Sequence, residues 1–151
     1  MVKTKRMELN KYIPGDLAMI NGDIVKIMAV CFNYNLNIIQ NYDVMFPNGN
    51  IYKYEAESLK EIPLTPEILE KNGWKKEVMS RGVKNSHWVY TKPDIEEYGY
   101  FPIYIEKGIG DEFDVYPFTG NNVCTQIAYI KYVHQLQHLL FGLGINHEME
   151  V

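Results

Sequence analysis

Cysteine is scarce in this chain of 151 residues, which contains two, Cys31 and Cys124. No C-x-x-C spacing is present, so the sequence supports neither a disulfide framework nor a nucleophilic pair. Each cysteine lies in an apolar run typical of a strand. This setting favours reduced, buried thiols that pack as small hydrophobic side chains.

Long apolar runs are missing as well. None approaches the roughly 20 residues needed to cross a bilayer, so the sequence predicts no transmembrane helix and no membrane partner. The basic residues 1–6 are not followed by the apolar stretch of a secretory signal peptide. We therefore expect a cytoplasmic protein, in a bacterial cell or in a phage-infected host.

The chain has no strong excess of either charge. It carries 15 Lys and Arg against 19 Asp and Glu, a net charge of −4. Residues 1–63 carry seven of each sign, so residues 64–151 hold the whole deficit. Non-specific nucleic-acid binding depends largely on neutralising phosphates, so this balance argues against a dedicated binder of that kind. The balance of charge leaves open the alternative that the first half of the chain forms a basic patch.

Catalytic signatures are also missing. Gly108 and Gly110 do not form a G-x-G-x-x-G loop, and no G-x-x-x-x-G-K-[ST] loop is present. Serine occurs at Ser58, Ser80 and Ser86, and none lies in a G-x-S-x-G sequence. The sequence therefore predicts a protein that is not an enzyme and has no catalytic residues, no cofactor and no bound metal.

Short strands dominate the first half. With 46% apolar residues, the chain can bury a core without disulfides or metal. Asn21 and Gly22 predict a two-residue hairpin, because both residue types tolerate positive φ. Five short strands joined by tight turns predict an SH3-like small β-barrel over residues 1–63. The predicted strands are residues 17–20, 23–32, 38–46, 51–56 and 58–62.

The second half begins with a clear helix signal over residues 66–72. Thr65 is suited to the N-cap, Pro66 to the first helical position and Gly73 to the position after the C-cap. Apolar residues recur every three or four positions over residues 131–142, which predicts a second, amphipathic helix. Short links between the intervening strands predict an antiparallel meander. Its expected strands are residues 74–79, 86–91, 101–106, 113–116 and 124–129.

These elements together predict an α+β fold with two parts. The first is an N-terminal SH3-like small β-barrel, residues 1–63. The second, residues 64–151, contains a helix, an antiparallel β-meander and a C-terminal amphipathic helix, and is expected to pack against the barrel. We expect the last residues, 146–151, to be loose.

Three stretches carry a family resemblance: residues 14–18, residues 62–74 with P-L-T and G-W, and residues 130–139 with Y-V-H-Q-L-Q. In these the chain resembles an uncharacterised family of small hypothetical proteins from Bacteroidetes bacteria and their phages and mobile elements. The resemblance implies a phage or mobile-element origin and an accessory role, with no reaction attached. It also implies that the histidine–glutamine cluster near the end is shared, as an interface or as a polar cluster specific to the fold.

That cluster is His134, Gln135, Gln137 and His138. The two histidines are four residues apart, so they share one helix face and could hold zinc. A metalloprotease would need H-E-x-x-H, and Gln135 stands where the glutamate belongs. We therefore favour a polar helix face, off the apolar stripe, that caps sheet edges or meets a protein partner or a second copy.

A second candidate site combines positive charge with aromatic rings. Trp74, Lys75, Lys76, Arg81 and Lys84 lie close together in the chain, with Trp88 following. Stacking together with charge can bind single-stranded nucleic acid. The alternative hypothesis is therefore a nucleic-acid-binding accessory protein that uses the barrel and the hairpin at residues 75–84. The main hypothesis is a non-enzymatic binding or adaptor protein that acts through protein–protein contacts.

Overall fold

A computed structural model of the chain describes residues 11–36, 38–81, 85–92, 103–108, 110–117 and 128–151. The chain divides into two compact units, Met1–Ile62 and Pro63–Val151. We call them unit 1 and unit 2.

Unit 1 contains an antiparallel sheet in which neighbouring strands follow one another along the chain. The predicted hairpin at Asn21 and Gly22 is confirmed, since these residues have φ of 50° and 92°. At the turn formed by residues 47–50, the Asn48 side chain accepts a hydrogen bond from the N–H of Asn50, at 3.0 Å. The strands are β1 (Leu17–Ile20), β2 (Asp23–Asn33), β3 (Ile38–Met45) and β4 (Ile51–Glu55).

The core of unit 1 forms on one face of this sheet. Alternate side chains of β2 and β3 point inward, so Val25, Ile27, Tyr42 and Val44 are buried. The Tyr42 ring meets the Tyr12 ring edge to face, with centroids 5.8 Å apart. The other buried members are Ala18, Ile20 and Leu59, and the partly buried side chains packed on them are Val30, Ile39, Phe46, Tyr54 and Ala56.

Burial raises the pKa of Tyr42, and the negative charge of Asp16 adds to the rise, while a hydrogen bond with the backbone of Tyr12 lowers it. A raised pKa in the folded state means that folding favours the neutral hydroxyl. This stabilisation is complete below the unfolded pKa, about 10, and is lost as pH rises through the folded pKa. We expect the stability of wild type relative to Tyr42→Phe to be constant below about pH 9 and to fall as pH rises above about 10. Urea unfolding at each pH measures it; an unchanged difference would contradict this.

The predicted barrel does not form. The chain after β4 makes a short 3-10 helix (Ala56–Ser58) where the fifth strand should begin. One bridge pair then follows, in which Met19 and Lys60 exchange two backbone hydrogen bonds of 2.9 Å. Pro63 has no N–H with which to continue a ladder. A single bridge leaves the described sheet unclosed, and residues 58–62 are not a strand.

Unit 2 is built on a second antiparallel sheet, again with neighbouring strands in chain order. The predicted antiparallel meander is confirmed for the described residues. Residues 101–102 and 124–127 of the expected strands lie outside them. The strands are β5 (Lys75–Arg81), β6 (Asn85–Thr91), β7 (Ile103–Lys107), β8 (Phe113–Pro117) and β9 (Ala128–Ile130).

Two α-helices accompany this sheet in the described part of the chain, α1 (Pro66–Lys71) and α2 (Val133–Gly142). The capping signals predicted for α1 are confirmed. The Thr65 hydroxyl accepts a hydrogen bond from the N–H of Ile68, at 3.3 Å, and Gly73 has φ of 83°. Helix α2 begins two residues later than expected, because Tyr132 has extended backbone angles.

Apolar side chains from the sheet and both helices form the buried part of unit 2. Leu69 of α1 is fully buried, as are Val133 and Leu136 of α2. On the sheet, β7 and β8 contribute the most deeply buried side chains, Ile105, Phe113 and Val115.

The predicted α+β fold with an SH3-like barrel is therefore wrong. The described residues form a mainly β fold of two open antiparallel sheets, with four and five strands, and two short helices. The local strand signals were sound, but closure of a barrel needs a long-range ladder that residues 58–62 do not supply. No helix in the described part of the chain is long and apolar enough to cross a membrane.

Candidate interaction surface

Strands β2 and β3 are longer than the strands beside them. β1 pairs with residues 23–26 of β2, and backbone bonds from residues 15–16 extend this contact to Ile27. β4 pairs with residues 41–45 of β3. Among the described residues, the far ends of β2 and β3 thus have a strand neighbour on one side only. We call this projecting hairpin, residues 28–36 and 38–40, the arm.

Large apolar side chains of the arm are exposed to solvent. Tyr34 is 87% exposed, Leu36 65% and Ile38 49%. Single exposed apolar residues are common on protein surfaces, whereas a contiguous group often marks an interaction site. Met28, 40% exposed, and Phe32, 37% exposed, are two further exposed apolar side chains of the arm. Phe32 pairs with Ile39 and Asn33 with Ile38, so Phe32 and Ile38 lie on opposite faces of the arm.

The tip of the arm has a defined conformation. The Asn33 carbonyl oxygen Oδ1 accepts hydrogen bonds from the N–H groups of Asn35, at 3.0 Å, and Leu36, at 3.2 Å. Such side-chain-to-backbone bonds stabilise tight turns. The rings of Phe32 and Tyr34 meet edge to face with centroids 5.1 Å apart. These contacts order the backbone of residues 33–36 and the rings of Phe32 and Tyr34 before any partner arrives, which lowers the entropy cost of binding.

The arm carries no charge. All sixteen residues from Ile27 to Tyr42 lack Asp, Glu, Lys, Arg and His. Sequence reasoning took this stretch as two ordinary strands of a barrel and so missed the arm as a site. The signal that could have found it is the length of this uncharged run, which is unusual for a hairpin that extends into solvent.

The histidine–glutamine cluster, expected as a polar helix face that caps sheet edges or meets a partner, is partly buried. His134 is 5% exposed and Gln137 is fully buried. The ring of His134 stacks with Tyr132, with centroids 5.9 Å apart, and meets His138 edge to face at 5.7 Å. Half of the cluster is therefore part of the interior of unit 2.

Both glutamines of the cluster bond to backbone groups. The Gln135 side-chain oxygen accepts hydrogen bonds from the N–H groups of Lys131, at 2.7 Å, and Tyr132, at 3.1 Å, and so caps the start of α2. The Gln137 amide donates to the carbonyl oxygen of His147, at 3.1 Å. Their observed contacts hold unit 2 together, and a binding role for them stays a prediction.

Residues 146–151 are not loose. The Asn72 side chain pairs with Glu150 as a neighbouring strand would, donating to its carbonyl oxygen at 2.7 Å and accepting from its N–H at 2.8 Å. The Lys71 ammonium donates to the carbonyl oxygen of Val151, at 2.9 Å. The His147 ring also meets the Phe141 ring edge to face, at 5.1 Å. Sequence patterns do not report such contacts between residues about eighty positions apart.

A zinc site at His134 and His138 gains no third ligand from the described residues. Among them, no three His, Cys, Asp or Glu side chains come together in a way that could hold a metal ion. The His87 side chain lies outside the described part of the structure.

The basic, aromatic stretch is only partly available for binding. Trp74 is 2% exposed, so its predicted stacking role is wrong. Trp88 is 54% exposed, and the Lys76 ammonium lies 4.8 Å from the centre of its ring. Lys75 is exposed on the same hairpin. The Arg81 side chain and Lys84 lie outside the described residues.

Cys31 is half-buried and free, whereas the sequence predicted a buried thiol. Its sulfur accepts a hydrogen bond from the Lys53 ammonium, at 3.3 Å, and the same ammonium lies 3.4 Å from an Asp43 carboxylate oxygen. The bond to the Cys31 sulfur, followed by the charge of Asp43, raises the pKa of Lys53. Cys124 lies outside the described residues.

Comparison of the chain with protein-family models, with curated proteins and with solved structures finds no match.

Proposed function

We propose that this chain is a non-enzymatic binding or adaptor protein that acts through protein–protein contacts made by the arm. The observation that carries the proposal is the exposure of Tyr34, Leu36 and Ile38 on one projecting, uncharged hairpin. Tyr is among the residue types enriched at the hot spots of protein interfaces, which become fully desolvated on binding. The family resemblance supports encoding by a phage or mobile element and an accessory role.

A tagged pull-down from lysate of the source cells tests this proposal. Half of the lysate is treated with nuclease, and each half is probed with wild type, Leu36→Asp and Ile51→Asp. Leu36 is 65% exposed at the arm tip. Ile51 is 54% exposed on β4, beside the turn at the opposite end of the sheet, so it is the matched control.

We expect one stoichiometric protein that survives nuclease and high salt, is lost with Leu36→Asp and is kept with Ile51→Asp. A buried carboxylate without a partner would oppose the apolar contact. Recovery of nucleic acid, with the captured proteins lost after nuclease, would contradict the proposal. Equal capture by Leu36→Asp and Ile51→Asp would show that the arm is not the binding surface.

The second candidate function is nucleic-acid binding by unit 2. It is favoured by the exposed Trp88 ring with the Lys76 ammonium over it. A base stacked on such a ring and a phosphate near such an ammonium would bind in a salt-dependent manner. Titration of a fluorescent single-stranded oligonucleotide at several salt concentrations tests it. Steeply salt-dependent binding that Trp88→Ala abolishes would support this function, and absence of binding at low salt would contradict it.

A further inference from the structure

We propose that the arm binds the arm of a second copy of this chain, so that the protein is a homodimer joined through unit 1. This inference rests on the proposed function, because it names the partner of the same surface. Each copy in the homodimer contributes one unit 1 and one unit 2.

Charge is the first reason to choose a second copy. A two-fold interface brings the same surface patch together with itself, so any net charge on that patch repels its own copy. The arm has no charged residue of its own, and the Lys53 ammonium that reaches Cys31 at its base is paired with the Asp43 carboxylate, so it adds no net charge. A surface that meets a different protein gains specificity and association rate from complementary charge, and the arm has none to offer.

The edges of the arm are the second reason. Proteins keep sheet edges from pairing with one another by placing Lys, Pro or inward-facing charges on them. Residues 28–33 of β2 have a strand neighbour on one side only within the described structure, and they contain no Lys, Pro or charged residue. The register between β2 and β3 is irregular between Ile27 and Ala29 and between Cys31 and Phe32, and such bulges hinder continuous pairing along an edge. At the base of the arm, Val30 and Ile39 are packed against the core of unit 1. The edge is therefore supported and uncharged, and a second copy would meet it mainly through side chains.

The available area is the third reason. Tyr34, Leu36, Ile38, Met28 and Phe32 are between 37% and 87% exposed. A large side chain covers about 150–250 Å² when fully buried, so these five leave roughly 500 Å² of mostly apolar surface per copy. The register puts Phe32 and Ile38 on opposite faces of the arm, so two copies that cover both faces would bury up to about 1,000 Å² from these side chains, the area at which specific interfaces begin.

Sedimentation velocity of the full chain tests the homodimer. Wild type, Leu36→Asp, Tyr34→Asn and the control Ile51→Asp are each measured from low micromolar concentration up to about 100 μM. We expect wild type and Ile51→Asp to shift from monomer to dimer with increasing concentration. We expect Leu36→Asp and Tyr34→Asn to raise the dissociation constant by about tenfold or more. Circular dichroism shows whether each variant is folded, and an unfolded one is set aside in favour of the other arm variant.

Three results would overturn the homodimer. One is a wild-type monomer at every concentration. Another is a dimer that both arm variants leave unchanged. The third is a dimer that Ile51→Asp weakens as much as Leu36→Asp does.

The pull-down separates failure of the homodimer from failure of the proposed function. A monomeric wild type that still loses its captured protein on Leu36→Asp substitution overturns the homodimer and supports the arm as a binding surface for a different protein. A monomeric wild type with capture unaffected by Leu36→Asp overturns both.

Discussion

Trp74→Ala should lower the free energy of unfolding by about 3–5 kcal/mol, whereas Trp88→Ala should change it by about 1 kcal/mol or less. The two tryptophans differ in burial, since Trp74 is 2% exposed and Trp88 is 54% exposed. Trp74 directly follows α1, and its N–H donates to the carbonyl oxygen of Leu69, at 3.0 Å. Removing its indole leaves a cavity where α1 meets the sheet of unit 2, while the Trp88 indole gives up little buried area.

Urea unfolding followed by circular dichroism measures both variants against wild type. The pair forms its own control, because each variant removes the same side chain. Equal losses from the two variants would contradict the assignment of Trp74 to the interior. If oligonucleotide binding exists, it should be lost with Trp88→Ala while the fold is kept.

Gln137→Glu should lower the free energy of unfolding by about 3 kcal/mol or more at neutral pH. Gln137 is fully buried, and its amide donates to the carbonyl oxygen of His147. The substitution replaces that donor with a carboxylate that faces another oxygen. Burial raises the pKa of the introduced carboxyl above its unfolded value. The folded state therefore holds its proton longer, and the loss of stability should shrink as pH falls toward about 4.

Gln135→Glu is the matched control for this prediction, two residues earlier in the same helix. The Gln135 oxygen accepts from two backbone N–H groups, a role that a carboxylate fills equally well. Negative charge is also favourable at the start of a helix. We expect thermal and urea unfolding to show little change for Gln135→Glu. A similar loss from both variants would mean that Gln137 is not the buried amide described above.

The elements that sequence reasoning predicted well are those with local causes. The Asn21–Gly22 hairpin follows from two residues, and the start and end of α1 follow from Thr65, Pro66 and Gly73. A short apolar run between two turn signals, residues 14–16 and 21–22, placed β1 at Leu17–Ile20 without error. In each case, the information needed to form the structure lies within a few positions of the residues that carry it.

The features that sequence reasoning missed depend on distant contacts. A barrel required residues 58–62 to pair with β1 along their length, and the chain makes one bridge at Lys60 instead. The polar side of α2 was expected to cap sheet edges or to meet a partner, and the bond of the buried Gln137 to His147, in the chain segment after the helix, did not follow from the sequence pattern. The arm arises from the unequal lengths of neighbouring strands, which a hydrophobic pattern read one strand at a time does not show.

Hydrogen–deuterium exchange of the full chain tests the central claim, that the arm is the interaction surface, most directly. Exchange is followed by mass spectrometry at about 5 μM and about 100 μM, for wild type and for Leu36→Asp. In wild type, we expect peptides that cover residues 28–40 to become more protected at the higher concentration. Peptides from unit 2 should not change, and Leu36→Asp should abolish the difference. Protection that is gained in unit 2 instead, or exchange in the arm that does not depend on concentration or on a captured partner, would contradict the account.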